Sequence, residues 1–460
     1  VTVASDPLDI AARHGLAVRD GRVHVEMVTV AGTASDLESW LHRRGARFVS
    51  VWRNRVDGFV RPGLLLELER RPEVISVERP AYARLPEPAP EAAPLKLGTF
   101  AVTSEGLEAL NLASWTAEGY TGSGVKAGII DVQFGGWEDL LGVELPPAER
   151  TTYRAFNGAT VSPDAVHGTG CAEIVHDIAP DAELYLAHIR SQSGLYGALD
   201  WFLLEGVDVV TMSLGWYGIG PGDGTGQMDE EIADFIAAAD ANFFTSAGNE
   251  RRSHWQGRSL DDNGDDWVEF SSGDDLNSLT STIGEGESVG VYLTWNDWES
   301  PSSDYSLHLF NLDGDEPVQV GMSDRPQTGL SHQTPFESIT YSAADGGRFG
   351  VKIGRAGVVG THDLEIFSPD SDLEIRVEEG SITLPADSED AISVAAVAYS
   401  GSYSYRSFSS AGPSNGPGGS IDGGIVKPDI SGYDGVSTAS YGPVGFYGTS
   451  AASPHAAGAA

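Results

Sequence analysis

The sequence predicts an α/β molecule: a parallel sheet with flanking helices, preceded by a small α+β unit and interrupted by an antiparallel β-sandwich. Three observations carry this. Over residues 97–264, buried apolar stretches such as Val125–Ile130, Leu184–Ile189 and Val207–Leu214 alternate with helical segments, as parallel sheets require. Between 265 and 378 the stretches become short and alternating, separated by Gly, Asp, Ser and Pro turns. After Gly380 the continuous apolar pattern returns at Ala391–Val397, so 379–460 reads as the second part of the interrupted domain.

The elements follow in order. In residues 1–86 apolar alternation and β-branched residues predict strands at Val23–Val30, Arg47–Trp52, Asp57–Arg61 and Val74–Glu78. Leu, Glu and Arg at i, i+3, i+4 spacing predict helices at Ser35–Arg44 and Leu64–Arg71. This βαββαβ order suggests a ferredoxin-like α+β unit. A Pro-rich stretch, 87–96, predicts an extended linker. In the domain that follows, Leu195–Glu205 and Met228–Ala241 read as helices and Phe243–Ser246 as a strand. Within the insert, Val289–Trp295, Tyr305–Leu309, Phe349–Ile353 and Asp363–Phe367 read as strands.

Composition narrows the function. The 460 residues carry 28 Lys and Arg against 67 Asp and Glu, a net charge of −39, which repels phosphate backbones and sets nucleic acid aside as a partner. Such acidity suits a coat for high salt, or carboxylate clusters for calcium. A single cysteine, Cys171, cannot form an intrachain disulfide. No run of 18 apolar residues is present, so no membrane span is expected.

Four residues on the α/β pattern suggest chemistry. Asp131 ends a buried strand, His167 opens a small-residue segment at His167-Gly168-Thr169-Gly170, and Asn249 closes Thr245-Ser246-Ala247-Gly248-Asn249. Ser450 lies in Gly448-Thr449-Ser450-Ala451-Ala452-Ser453-Pro454-His455-Ala456-Ala457-Gly458. A hydroxyl at a helix N-terminus, where backbone N–H groups converge, suits a nucleophile that generates a negative charge. Asp261, Asn263 and Asp265, in an acidic Gly turn, space oxygen ligands as Ca²⁺ sites do, and so does Asn311–Asp315.

Together these motifs resemble the subtilisin-like serine proteases (subtilases), over roughly residues 120–262 and 380–460, in the order Asp, His, Ser. Val210–Gly215, Ser407–Pro413 and Lys427–Ile430 add to the likeness. The resemblance implies a subtilisin-like sheet and a serine endopeptidase that cleaves proteins or peptides through an acyl-enzyme. In it Ser450 is the nucleophile, His167 the base, Asp131 the orienting acid and Asn249 an oxyanion donor. Ser213, Leu214 and Gly215 would pair an extended substrate. No cofactor is needed for the chemistry, structural Ca²⁺ being the one metal expected. The N-terminal unit would be a propeptide acting as intramolecular inhibitor and chaperone, and the protein would be secreted or at the cell surface. The sequence ends two residues after Gly458, so the second part of the domain is expected to continue beyond it. Four positions depart from the family pattern. Val132 and Gln133 follow the acid where Thr or Ser and then Gly are usual, Ala451 replaces Met, and Ala411 replaces Arg. The alternative is a catalytically inactive surface protein of the same fold that binds peptide or glycan.

Overall fold

The computed structural model describes residues 6–13, 15–85, 102–330, 333–355 and 357–460. The linker expected at 87–96 lies outside the described residues. At the centre is a seven-stranded sheet, paired in parallel throughout. Its order is Ile430–Asp434, Ile392–Ala398, Asn242–Ser246, Val209–Met212, Lys126–Asp131, Glu183–His188 and Thr151–Ala155. Both faces of the inner strands are covered, which is why Lys126–Asp131, Val209–Met212 and Ile392–Ala398 read as mainly apolar runs. Ile129 packs with Ile174 and Val175 of the helix His167–Ile178. Its neighbour Ile130 points the other way, to Leu195, Leu199 and Phe202 of the helix Gln192–Glu205.

From Lys126–Asp131 the chain moves to one side of the sheet for the next two strands, then crosses back to Val209–Met212. The strand order therefore reverses between Lys126–Asp131 and Val209–Met212. In open parallel sheets such a switch point leaves a crevice at the carboxyl ends of the strands.

The N-terminal unit is an antiparallel sheet of Val18–Arg19, Arg22–Thr29, Arg55–Val60, Arg47–Trp52 and Val74–Glu78. The helix Ala34–Arg43 lays Ala34, Leu37 and Leu41 on it, a spacing of three and seven that keeps them on one face. The segment His254–Phe367 forms two four-stranded antiparallel sheets over one core. Val289, Val291, Leu293 and Trp295, alternate residues of the strand Ser288–Trp295, fill that core. Tyr292 falls on the opposite face and, with Phe367, meets Tyr217 of the central body. The strand His254–Arg258 pairs with Asp363–Phe367, so this sheet begins before residue 265.

These pairings correct the fold class read from the sequence. Among the described residues, fifteen of the twenty-two strands lie in antiparallel sheets and seven in the parallel one. The molecule is thus a mixed structure with mostly antiparallel strands, and "α/β, subtilisin-like" does not describe it as a whole. The physical reason is signal strength. Doubly buried parallel strands announce themselves as apolar runs, while a two-residue strand such as Asn277–Ser278 carries no apolar pattern.

Candidate active site

Asp131, the last residue of its strand, is fully buried. Its Oδ1 accepts the amides of Val132 (2.8 Å) and Gln133 (2.9 Å), and Oδ2 lies 2.7 Å from Nδ1 of His167. The two residues that depart from the expected pattern thus serve the acid through their backbones, which any side chain permits. His167 is the first residue of its helix, and the Gly168 amide donates to the Gln133 carbonyl at 2.7 Å. A Cβ on Gly168 would stand 2.4 Å from Cβ of Asp131, so only glycine lets the helix approach this closely. Phe446 meets the imidazole edge-on at 5.2 Å between centroids.

Ser450 is the second residue of the helix Thr449–Ala459. Gly448 precedes it with φ of 108°, a backbone conformation that favours glycine. Pro454 sits four residues on and has no N–H, so the Ser450 carbonyl loses its helical partner. Ser213 Oγ donates to that carbonyl instead at 2.9 Å, and the Cys171 thiol at 3.6 Å. Burial holds the Cys171 pKa well above the thiol range, which keeps the sulfur a donor. His167 Nε2 and Ser450 Oγ are both buried and, among the described residues, have no hydrogen-bond partner.

Asn249 joins the site through the same helix. Its Oδ1 accepts from both the amide (3.0 Å) and the hydroxyl (3.1 Å) of Thr449, which makes the NH₂ its donor end. Further along the helix, His455 is fully buried between the Ala451 carbonyl (2.7 Å) and Ser104 Oγ (2.9 Å). Desolvation pushes its pKa down to about 4, so it is a neutral structural group that ties residues 104–109 to the helix.

Ser213, Leu214 and Gly215 extend from the strand Val209–Met212, beside the switch point. Gly215 is already paired: its amide and carbonyl each bond Arg84, both at 2.9 Å. On the other side Ala83 donates to Arg190, and Gln192 donates to Ala81. Residues 81–85, which follow the last strand of the N-terminal unit, therefore lie as a strand between two edges of the body. The sequence reading missed this segment. Its signal was the alternation Ala81-Tyr82-Ala83-Arg84-Leu85, a period of two obscured by the preceding Pro80.

The turn with Asp261, Asn263 and Asp265 lies on the exposed surface of the chain, apart from these residues. Asp261 Oδ1 accepts the amides of Gly264 (2.7 Å) and Asp265 (3.1 Å), and Asn263 Nδ2 donates to Asp265 (3.0 Å). Its oxygens thus already close the turn on itself. Asp313 in the second acidic turn faces Arg348 at 3.2 Å. Among the described residues, one group of three His, Cys, Asp or Glu ligand atoms converges, Asp131, His167 and Cys171.

No family model matches the chain, and no curated protein matches it. Among solved structures it is similar to the CspB protease of Clostridium perfringens (TM-score 0.52, 15% identity), over 77% of this chain and 86% of that one. An epidermin leader peptide processing serine protease from Staphylococcus aureus matches with a TM-score of 0.45 at 10% identity, over 95% and 87% of the two chains. A lanthipeptide protease matches with a TM-score of 0.36 at 13% identity, over 78% and 83%. At 15% identity the first of these shows a shared fold and nothing finer. The assignment to the subtilases is corrected accordingly: short motifs around Asp131, His167 and Ser450 carried it, and the likeness found across the chain shows no family. Among the described residues, no helix is long and apolar enough to cross a membrane.

Proposed function

We propose that the chain is a serine endopeptidase that hydrolyses peptide bonds in proteins through Asp131, His167 and Ser450. The observation that carries this reading is the 2.7 Å contact between buried Asp131 and His167 Nδ1, with His167 Nε2 and Ser450 Oγ left unpartnered. Buried polar atoms are rarely left so, and reacting groups are among the exceptions.

In this reading Ser450 Oγ attacks the substrate carbonyl while His167 Nε2 takes its proton. Asp131 holds the Nδ1–H tautomer and favours the imidazolium that forms. The Asn249 NH₂ and the Ser450 amide, at a helix N-terminus, donate to the oxyanion. His167 then returns the proton to the leaving amine, and water attacks the acyl-enzyme by the same route in reverse. Substrate pairs with Ser213–Gly215 as an added strand. The N-terminal unit acts as an intramolecular inhibitor, since residues 81–85 hold both bonds that Gly215 offers.

Fluorophosphonate labelling of the full chain, read by mass spectrometry, tests this, with casein hydrolysis beside it. Label on Ser450, and loss of label and hydrolysis in Ser450→Ala, are expected. A chain that neither takes the label nor cleaves casein after limited proteolysis has removed residues 1–86 overturns the proposal, as does a Ser450→Ala variant that still cleaves.

A further inference from the structure

The cleft has a wall that the chemistry above does not use. Arg84 pairs with Gly215 through the backbone, and its guanidinium lies 5.4 Å from the ring centre of Tyr292, in the β-sandwich insert. Tyr292 is held from behind. It stacks on Tyr217 at 4.8 Å, and Phe336 lies parallel to it at 6.4 Å. Phe336 in turn packs so closely on Gly218 that a Cβ there would stand 1.9 Å from its ring. The insert is thus keyed into the loop that follows the substrate-pairing strand.

A carboxylate stands near the wall. Asp370, exposed after the strand Asp363–Phe367, accepts the Gly290 amide at 2.7 Å, two residues before Tyr292. A Cβ on Gly290 would meet the Tyr292 hydroxyl at 3.0 Å and Asp370 Oδ2 at 3.2 Å, so the carboxylate stands beside the hydroxyl end of the ring. Desolvation raises its pKa, and the Gly290 amide and the charge of Arg84 oppose the rise. Arg79, Arg84, Tyr292 and Phe336 line a cavity of about 170 Å³ at the junction of the N-terminal unit, the body and the insert.

We infer that the β-sandwich insert builds a specificity subsite for a cationic side chain, with Tyr292 as its face and Asp370 as its counter-charge. Arg84 occupies it in the present arrangement. The inference rests on the protease reading and adds which substrates the site prefers. Register gives the position. Arg84 stands opposite Gly215, so a substrate strand in the same register has the residue two positions later opposite Ser213. Ser213 bonds the Ser450 carbonyl, so that later residue supplies the acyl group. The subsite therefore receives the side chain two residues before the acyl residue. An arginine there gains a desolvated aromatic face and a carboxylate; a leucine gains only the face, and a glutamate meets a like charge.

The test uses internally quenched peptides identical except for Arg, Lys, Leu or Glu at that position, with the full chain and three variants. For the full chain the Arg peptide is expected to exceed the Leu peptide in kcat/KM by about three- to tenfold, chiefly through KM. Tyr292→Leu brings the ratio toward one, Tyr292→Phe retains it, and Asp370→Asn lowers it. Because Asp370 is exposed, its variant reports even if Tyr292→Leu does not fold. Cleavage with equal kcat/KM for Arg and Leu, or a ratio that none of the variants lowers, overturns the subsite and leaves the protease reading standing. Failure to cleave any peptide once limited proteolysis has removed residues 1–86 overturns that reading and the subsite with it.

Discussion

Ser213 donates its hydroxyl to the carbonyl of Ser450 at 2.9 Å, taking the place of the helical N–H that Pro454 lacks. One hydrogen bond thus joins the strand-end segment expected to pair substrate to the residue expected to attack it. Ser213→Ala leaves that buried carbonyl with only a thiol donor. We expect a loss of about 1–2 kcal/mol in urea unfolding, with m unchanged. A loss below about 0.3 kcal/mol would mean the carbonyl is satisfied in another way.

Asp131→Asn keeps the size of the side chain and alters its charge and hydrogen-bond pattern. If His167 is the base, kcat falls by about four orders of magnitude, as tautomer loss does in trypsin, while the unfolding midpoint moves far less in proportion. Steady-state kinetics on the peptide set checks this. A drop of tenfold or less would remove Asp131 from the mechanism.

Stability should depend on pH in a way that separates two buried groups. Burial raises Glu173 from 4.5 to about 8, against hydrogen bonds from Ala439 and Ser440. The folded chain therefore keeps a proton that the unfolded chain releases. That contribution is complete below pH 4.5 and is lost as pH rises to about 8. His455 has the opposite sign: lowered from 6.5 to about 4, its contribution is complete above pH 6.5 and is lost as pH falls to about 4. Between pH 6.5 and 8 His455 is silent, so Glu173→Gln should reduce the fall in Tm across that window. Calorimetry at the two pH values decides, and an equal fall in both proteins refutes the assignment.

The motifs were legible because each is local. Asp131 follows an apolar run, Gly168 must be small beside it, and Gly448 turns the chain into the helix of Ser450. What joins them was not legible. Nothing in the sequence places the Thr449 amide on Asn249, 200 residues away, or Arg84 on Tyr292. The two departures after Asp131 leave the acid's bonds intact, because backbone amides make them. Individual antiparallel strands such as Phe336–Ser342 went unread, and the pairing of that strand with Ser288–Trp295, across about fifty residues, has no local signal.

Asp57 of the N-terminal unit reaches across to the body. Its Oδ1 lies 2.7 Å from His24 Nε2, and its Oδ2 accepts from Ser193 at 2.8 Å. Asp57→Ala strips three buried partners at once, counting Ser191 at 3.4 Å. We expect a cost of about 2–3 kcal/mol in the docking of the unit. Hydrogen exchange should show it as faster exchange of the Ala83 and Arg84 amides. Unchanged protection there would mean that residues 81–85 dock independently of the sheet.

The placement of residues 81–85 also bears on solubility. With that segment withdrawn, Gly215 on one side and Arg190–Gln192 on the other would present unpaired backbone groups across a gap one strand wide. Open edges of this kind recruit strands from neighbouring chains. A chain that seals its own gap in this way keeps those backbone groups from pairing with other copies of itself.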